Sequence, residues 1–112
     1  CTVFADGIPL YESSIQIDEI ERGRAVTAAL GDHRAILLKG HGVVVVGASI
    51  EEATVNAVSL ERSARLQATV ASLGAVREIP PKELNDESLT LGLTLHEYVE
   101  AQWDYWSLEA NK

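Results

Sequence analysis

Between two aliphatic runs, Ala35-Ile36-Leu37-Leu38 and Val43-Val44-Val45-Val46, the chain places Lys39-Gly40-His41-Gly42. Glycine on either side of a histidine permits tight or positive-φ backbone, so an imidazole can be presented at the end of a sheet. Such a ring suits a ligand role. Neutral imidazole coordinates zinc at about 2.0 to 2.1 Å, and a catalytic zinc typically takes three protein ligands and leaves one position open. His41 supplies one of them. Taken alone, the three letters read more plainly as a turn whose histidine is merely hydrogen-bonded, because short motifs carry a high false-positive rate.

Other residues offer less. His96 and Glu100 stand one helical turn apart and in principle share a metal, but an exposed i,i+4 pair of this kind reads as a solvated surface contact. Tyr98, Trp103, Tyr105 and Trp106 form an aromatic tail whose plain reading is core or interface anchoring. Cys1 as a nucleophile would need a nearby base or a depressed pKa, and no local His or Lys offers either.

The elements that must position these groups follow from pattern. Cys1 to Gln16 mixes apolar residues with Gly7 and Pro9, which predicts extended segments broken by a turn. Ile17, Ile20, Val26 and Leu30 predict a helix capped by Asp18 and ended at Gly31. Four consecutive valines predict a strand buried on both faces. Ser49 followed by Glu52 is a capping-box signature, and Ile50, Ala53, Ala57, Leu60, Ala64 and Ala71 predict the buried stripe of a helix that Gly74 stops. Its exposed side carries the favourable i,i+4 pair Glu61 and Arg65. Pro80 and Pro81 mark a linker. Asn85 or Asp86 then caps a last helix, interrupted by Gly92, with Leu95, Val99, Trp103 and Trp106 on its apolar side.

Composition bounds the classes of function. The 112 residues hold one modest core at most. With 17 acidic against 9 basic residues and a net charge of −8, the chain has no evident source of phosphate neutralisation, so nucleic acid is an unfavoured partner. Its longest strictly aliphatic run is far short of the ~20 residues that span a bilayer, which argues against a membrane partner. A single cysteine cannot build an internal disulfide framework, and the expected location is cytoplasmic.

The run from Ala35 to Gly47, followed by Ser49-Ile50-Glu51-Glu52-Ala53 and by Leu60-Glu61-Arg62 and Ala64, resembles the class II aldolase/adducin family. Ile8-Pro9-Leu10-Tyr11 is similar to the segment that leads into this part of the family domain, and the likeness covers about residues 8 to 74. The resemblance implies a three-layer α/β/α domain with a mainly antiparallel sheet, assembled as a homotetramer with active sites between subunits. It also implies that His41 is the third ligand of a divalent metal, generally zinc. The other two ligands, a His-x-His pair, and a catalytic carboxylate precede this motif in the family. This sequence has neither feature, for His33 and His96 form no such pair, so the expectation for residues 1–112 is the C-terminal portion of the domain. Within it, strands and helices occupy 1–79 and a helical tail 80–112. Gly40 stands where aldolases and epimerases usually carry Asn, a form that resembles a branch including predicted aldolases and aromatic-acid decarboxylases.

These expectations converge on a metal-dependent lyase that cleaves a C–C bond through a metal-stabilised enediolate, acting on a small hydroxy-carbonyl or carboxylate substrate. The chain alone is expected to be inactive, since its partners include the missing N-terminal half of the domain and further copies of itself. A sugar-phosphate 4-epimerase and a non-catalytic, adducin-like interaction domain are the alternatives. The histidine between two glycines argues against the latter, because a scaffold needs no imidazole there. Tyr105 is the tyrosine that the resemblance points to as an acid reaching a neighbouring site. A half-domain should also leave Val43 to Val46 and the apolar side of the Ser49 to Leu73 helix uncovered.

Overall fold

A computed structural model describes residues 2–80, 83 and 94–112. Cys1, Pro81, Asn85, Asp86 and Gly92, to which the sequence assigned roles, lie outside the described residues. After a single 3-10 turn, Thr2–Phe4, the elements run β1 (Leu10–Tyr11), α1 (Ile20–Leu30), β2 (Ala35–Leu38), β3 (Gly42–Val45), α2 (Ile50–Leu73) and α3 (Leu95–Ala110). Of the expected extended segments broken by a turn, the turn comes first, closed by the Gly7 amide donating to the Phe4 carbonyl at 3.0 Å, and the extended piece is β1.

The sheet is mixed, in the order β1-β2-β3. β1 and β2 are parallel, with Leu10 opposite Leu37 and Tyr11 opposite Leu38. Parallel neighbours need a crossover, and α1 provides it. β2 and β3 form an antiparallel hairpin from Ala35 opposite Val45 to Leu38 opposite Gly42. Val26 and Leu30 of α1 bury against Ile36, and Tyr11, Ile17, Leu38 and Val44 pack round this cluster. One face of the hairpin is therefore covered by α1.

The valine run is not buried on both faces as expected. Val43, near the hairpin tip, is 45% exposed and Val46, past the far end of the hairpin, 37%, and β3 is the end strand of the described sheet. The N-cap of α1 is Glu19, not Asp18, and it makes no side-chain capping bond. Asp18 instead pairs with Arg22. Gly31 ends the helix with φ 53°, its amide donating to the Thr27 carbonyl.

α2 starts at Ser49 as read, but with half of the expected capping box: the Ser49 hydroxyl accepts from the Glu52 amide at 3.1 Å, while the Glu52 carboxylate accepts from the Ala48 amide at 3.2 Å rather than from that of Ser49. Gly47 precedes it under compulsion, since a Cβ there would lie 2.4 Å from the Ala53 backbone nitrogen. The buried stripe of α2 differs from the expected one. Val55, Asn56 and Ser59 are buried, whereas Ile50, Ala57, Ala64 and Ala71 are exposed. The stripe holds two polar residues that an apolar-periodicity search passes over, and Asn56 uses its side-chain N–H to hold the Val46 carbonyl at 3.0 Å. α3 begins at Leu95 behind Thr94, which with Glu97 completes a capping box, so the cap of the aromatic helix is Thr94 rather than Asn85 or Asp86.

Candidate functional site

The two glycines beside His41 have a backbone explanation. The His41 amide donates to the Leu38 carbonyl at 3.0 Å, closing a four-residue turn whose third residue, Gly40, has φ 76°. Positive φ at that position is what a type II turn requires. Gly42, at φ 133°, then returns the chain to β3. His41 is left at the tip, exposed, between two residues chosen for conformation.

What holds the ring comes from elsewhere in the chain. His41 Nε2 donates to the backbone carbonyl of Ser14 at 2.7 Å. A carbonyl oxygen only accepts, so the bond places the ring proton on Nε2. Beside it, Lys39 pairs with Glu12 at 3.2 Å, both side chains exposed. The segment after β1 is thus laid along the hairpin tip by a backbone pair, the Lys39 amide on the Tyr11 carbonyl, and by this ion pair. Leu37 and Val43, register partners on the uncovered face, form an exposed apolar pair next to the turn.

The sequence pointed to His41 but not to Ser14. A backbone carbonyl has no side-chain signature, and 27 residues separate the two. Only the parallel pairing of β1 with β2 brings them together.

A divalent metal requires converging donors. His41 offers one imidazole, already engaged by Ser14. Among the described residues no three His, Cys, Asp or Glu side chains converge to hold an ion. They do not by themselves fit a metal centre.

A concave region lies elsewhere, between the start of α2 and α3. This cleft of about 480 Å³ is lined by Ser49, Glu51, His96, Val99, Glu100, Trp103 and Asp104, and does not include His41. Its His96 to Glu100 contact, 3.3 Å with both groups exposed, is the surface pair expected. The Glu51 carboxyl is held below the ordinary glutamate range by its own backbone N–H and the Ser49 hydroxyl. The aromatic tail anchors α3 on α2, with Arg62 stacked over Trp106 at 4.5 Å and the Tyr98 and Ser59 hydroxyls 3.3 Å apart, while within α3 Tyr105 meets Trp106 edge to face at 5.0 Å. Tyr105 itself is largely exposed.

Comparison with known proteins agrees with the motif. The family profile described as Class II Aldolase and Adducin N-terminal domain matches residues 1–68. Similar proteins include a 3,4-dihydroxyphthalate decarboxylase of Rhodococcus jostii (strain RHA1), 32% identical over 68 residues, 61% of this chain and 28% of the relative. Another 3,4-dihydroxyphthalate decarboxylase, of Terrabacter sp. (strain DBF63), is 30% identical over 81 residues, 71% of this chain and 34% of the relative. The Meiotically up-regulated gene 14 protein of Schizosaccharomyces pombe (strain 972 / ATCC 24843) is 30% identical over 82 residues, covering 70% and 31%. The chain therefore spans about a third of the length of the curated relatives it matches. With more than half of its residues inside the profile, the chain belongs to the class II aldolase and adducin family.

Proposed function

We propose that the full-length protein is a class II aldolase-type lyase that breaks a C–C bond, and that its reaction is the decarboxylation of a small hydroxylated carboxylate. The single observation that carries this is the pairing of the family match with an imidazole held at an exposed hairpin tip. Two of the relatives named above are decarboxylases, and Gly40 in the place of Asn favours that branch over the sugar-phosphate enzymes. In this reading the chain is the C-terminal portion of a three-layer domain. His41 is one ligand of a divalent metal, zinc by resemblance, whose other ligands and catalytic carboxylate come from the remainder of the protein. Such an ion, when bound, acts as a Lewis acid that stabilises the electron pair left when the C–C bond breaks.

The residues of this chain serve that purpose by position. The turn fixes where the imidazole stands, and the α1-packed hairpin gives it a rigid base. Leu37 and Val43 offer an apolar wall beside it for a planar substrate. A homo-oligomer, tetrameric by the resemblance, completes the proposal.

The test is CO₂ release by the full-length protein from a panel of dihydroxybenzoates and dihydroxyphthalates, beside retro-aldol cleavage of hydroxy-carbonyl phosphates. Release that is abolished by chelator, restored by zinc and lost in His41→Ala supports the reading. Cleavage of the phosphates alone moves the protein to the aldolase branch, and no turnover of either class together with no zinc uptake makes it a binding module.

A further inference from the structure

The side of α2 that meets α3 does not end where α3 does. Val55 and Ser59 are buried on that side, and Arg62 is stacked over Trp106. At 3.6 residues per turn Leu66, Val70 and Leu73 continue the same side, and there they are 64%, 38% and 84% exposed. Residues 62–77 hold the arginines Arg62, Arg65 and Arg77 and neither Asp nor Glu, in a chain whose net charge is −8. Arg62 borders the apolar row, one turn before Leu66, and Arg65 lies beyond it, paired back to Glu61.

α3 presents the converse. Its Val99 is buried and its Trp106 lies against Arg62, so that side of the helix is spent on α2. Around the opposite side run Ala101, Tyr105 and Leu108, with the same steps of four and three residues as Leu66, Val70 and Leu73. All three are exposed, Tyr105 to 52% and Leu108 to 69%. The helix carries Glu97, Glu100, Asp104 and Glu109 and no Lys or Arg. Glu97 and Asp104 border the row, one turn before Ala101 and Leu108.

We propose that the second half of α2 is an interface between copies of this protein, and that its occupant is the outer row of α3 from a second copy. Within one copy the two rows do not meet, because α3 is fastened to α2 by its other side. Between copies an apolar row meets an apolar row of equal spacing, and a basic half-helix meets an acidic helix. Two α2 halves laid together would set Arg62 and Arg65 against their own counterparts, and two α3 rows would set carboxylate against carboxylate. Charge therefore selects the mixed pair. Whether the helices run parallel or antiparallel, Val70, the middle of one row, falls opposite Tyr105, the middle of the other. Each copy carries both rows, so the contact closes as a pair exchanging two such seams or as a ring. It involves neither His41 nor the reaction assigned to the protein, and stands or falls apart from them.

The experiment uses the full-length protein. Light scattering coupled to size exclusion, over a dilution series, reads the mass and dissociation constant of the parent, of Leu73→Ser and of Leu108→Ser. Both leucines are exposed within a copy, so circular dichroism should show both variants folded. Each should raise the dissociation constant about ten-fold or more, the effect of removing one leucine from an apolar contact. In a second arm, ¹⁵N-labelled Val70→Cys protein is mixed with unlabelled Tyr105→Cys protein under mild oxidation. Mass spectrometry should find the two peptides joined, with the label on the Val70 side alone. A parent that is monomeric at micromolar concentration overturns the proposal. So does a dissociation constant unchanged in both serine variants, which would mean that the remainder of the same copy covers α2. A loss confined to Leu73→Ser, with no joined peptides, also overturns it, by showing that α2 docks on a surface other than α3.

Discussion

The two halves of α2 obey the same periodicity and end in different surroundings. In the first half Val55, Asn56 and Ser59 are buried, with α3 laid alongside through Tyr98 on Ser59 and Trp106 on Arg62. In the second half Leu66, Val70 and Leu73 are exposed at the same three- and four-residue spacing, Leu73 to 84%. Val55 by contrast is 1% exposed. The buried trio includes two polar residues, Asn56 and Ser59, whereas the exposed trio is wholly apolar. Burial here is decided by what lies across from the helix, and an apolar stripe in sequence marks only where a cover is useful. Leu37 and Val43 repeat the lesson on the sheet: half of a hairpin covered by α1, the other half open.

The largest effect should separate those halves. Val55→Ala deletes methyl groups from a filled site and should cost about 2 kcal/mol of stability in urea unfolding. Leu73→Ala should stay within about 0.5 kcal/mol in this chain, as exposed substitutions do. Repeating the pair in the full-length protein sharpens the contrast. If the rest of the protein covers the second half, Leu73→Ala becomes costly there while Val55→Ala keeps its value. Equal costs for the two in the 112-residue chain would mean that the second half is already covered and that the comparison is wrong.

An effect of comparable size is expected at the joint that aims the first half. Gly47→Ala drives a Cβ into the backbone of Ala53, which no rotamer change relieves, so β3 and α2 must part. Overpacking of this kind costs roughly 1 to 3 kcal/mol. It should also weaken the Asn56 to Val46 bond, visible as faster amide exchange in α2 with the His41 turn unchanged.

How much of this was legible depends on which interaction carried each feature. Local signals survived: Ser49 with Glu52, Glu61 with Arg65 (Nε to Oε1 3.0 Å), Gly31 and Gly74 as helix ends, and the apolar side of α3 at Val99. Each is settled within a turn or two of chain. The misread features are those that another element decides. Asp18 is taken from its capping role by Arg22, and the α2 stripe is rotated because Asn56 is wanted by the end of β3. At the candidate site the turn was readable in the glycines, and of the run Val43 to Val46 expected to lie uncovered, Val43 and Val46 are exposed while Val44 and Val45 are half-buried. The Ser14 carbonyl was not readable, since what places it is the register of β1 on β2.

The finest test concerns the cover itself. α3 starts with a capping box, the Thr94 amide donating to Glu97 at 2.8 Å and the Glu97 amide to the Thr94 hydroxyl at 3.3 Å. The Thr94 backbone N–H, then its hydroxyl, hold the Glu97 carboxyl below the ordinary glutamate range. A carboxyl whose pKa is lower folded than unfolded stabilises the fold fully above its unfolded value. That contribution is lost as the pH falls through the lowered folded value, so the cap weakens on acidification and not on alkalinisation. Glu97→Ala should therefore lower the melting temperature slightly near neutral pH, and the gap to the parent chain should close below about pH 4. Since α3 is what distinguishes the first half of α2 from the second, amide exchange at Val55 and Ser59 should rise in Glu97→Ala at neutral pH while Leu66 and Leu73 stay as they were. A melting gap that persists unchanged in acid would show that the Glu97 carboxylate is not what fastens the cover.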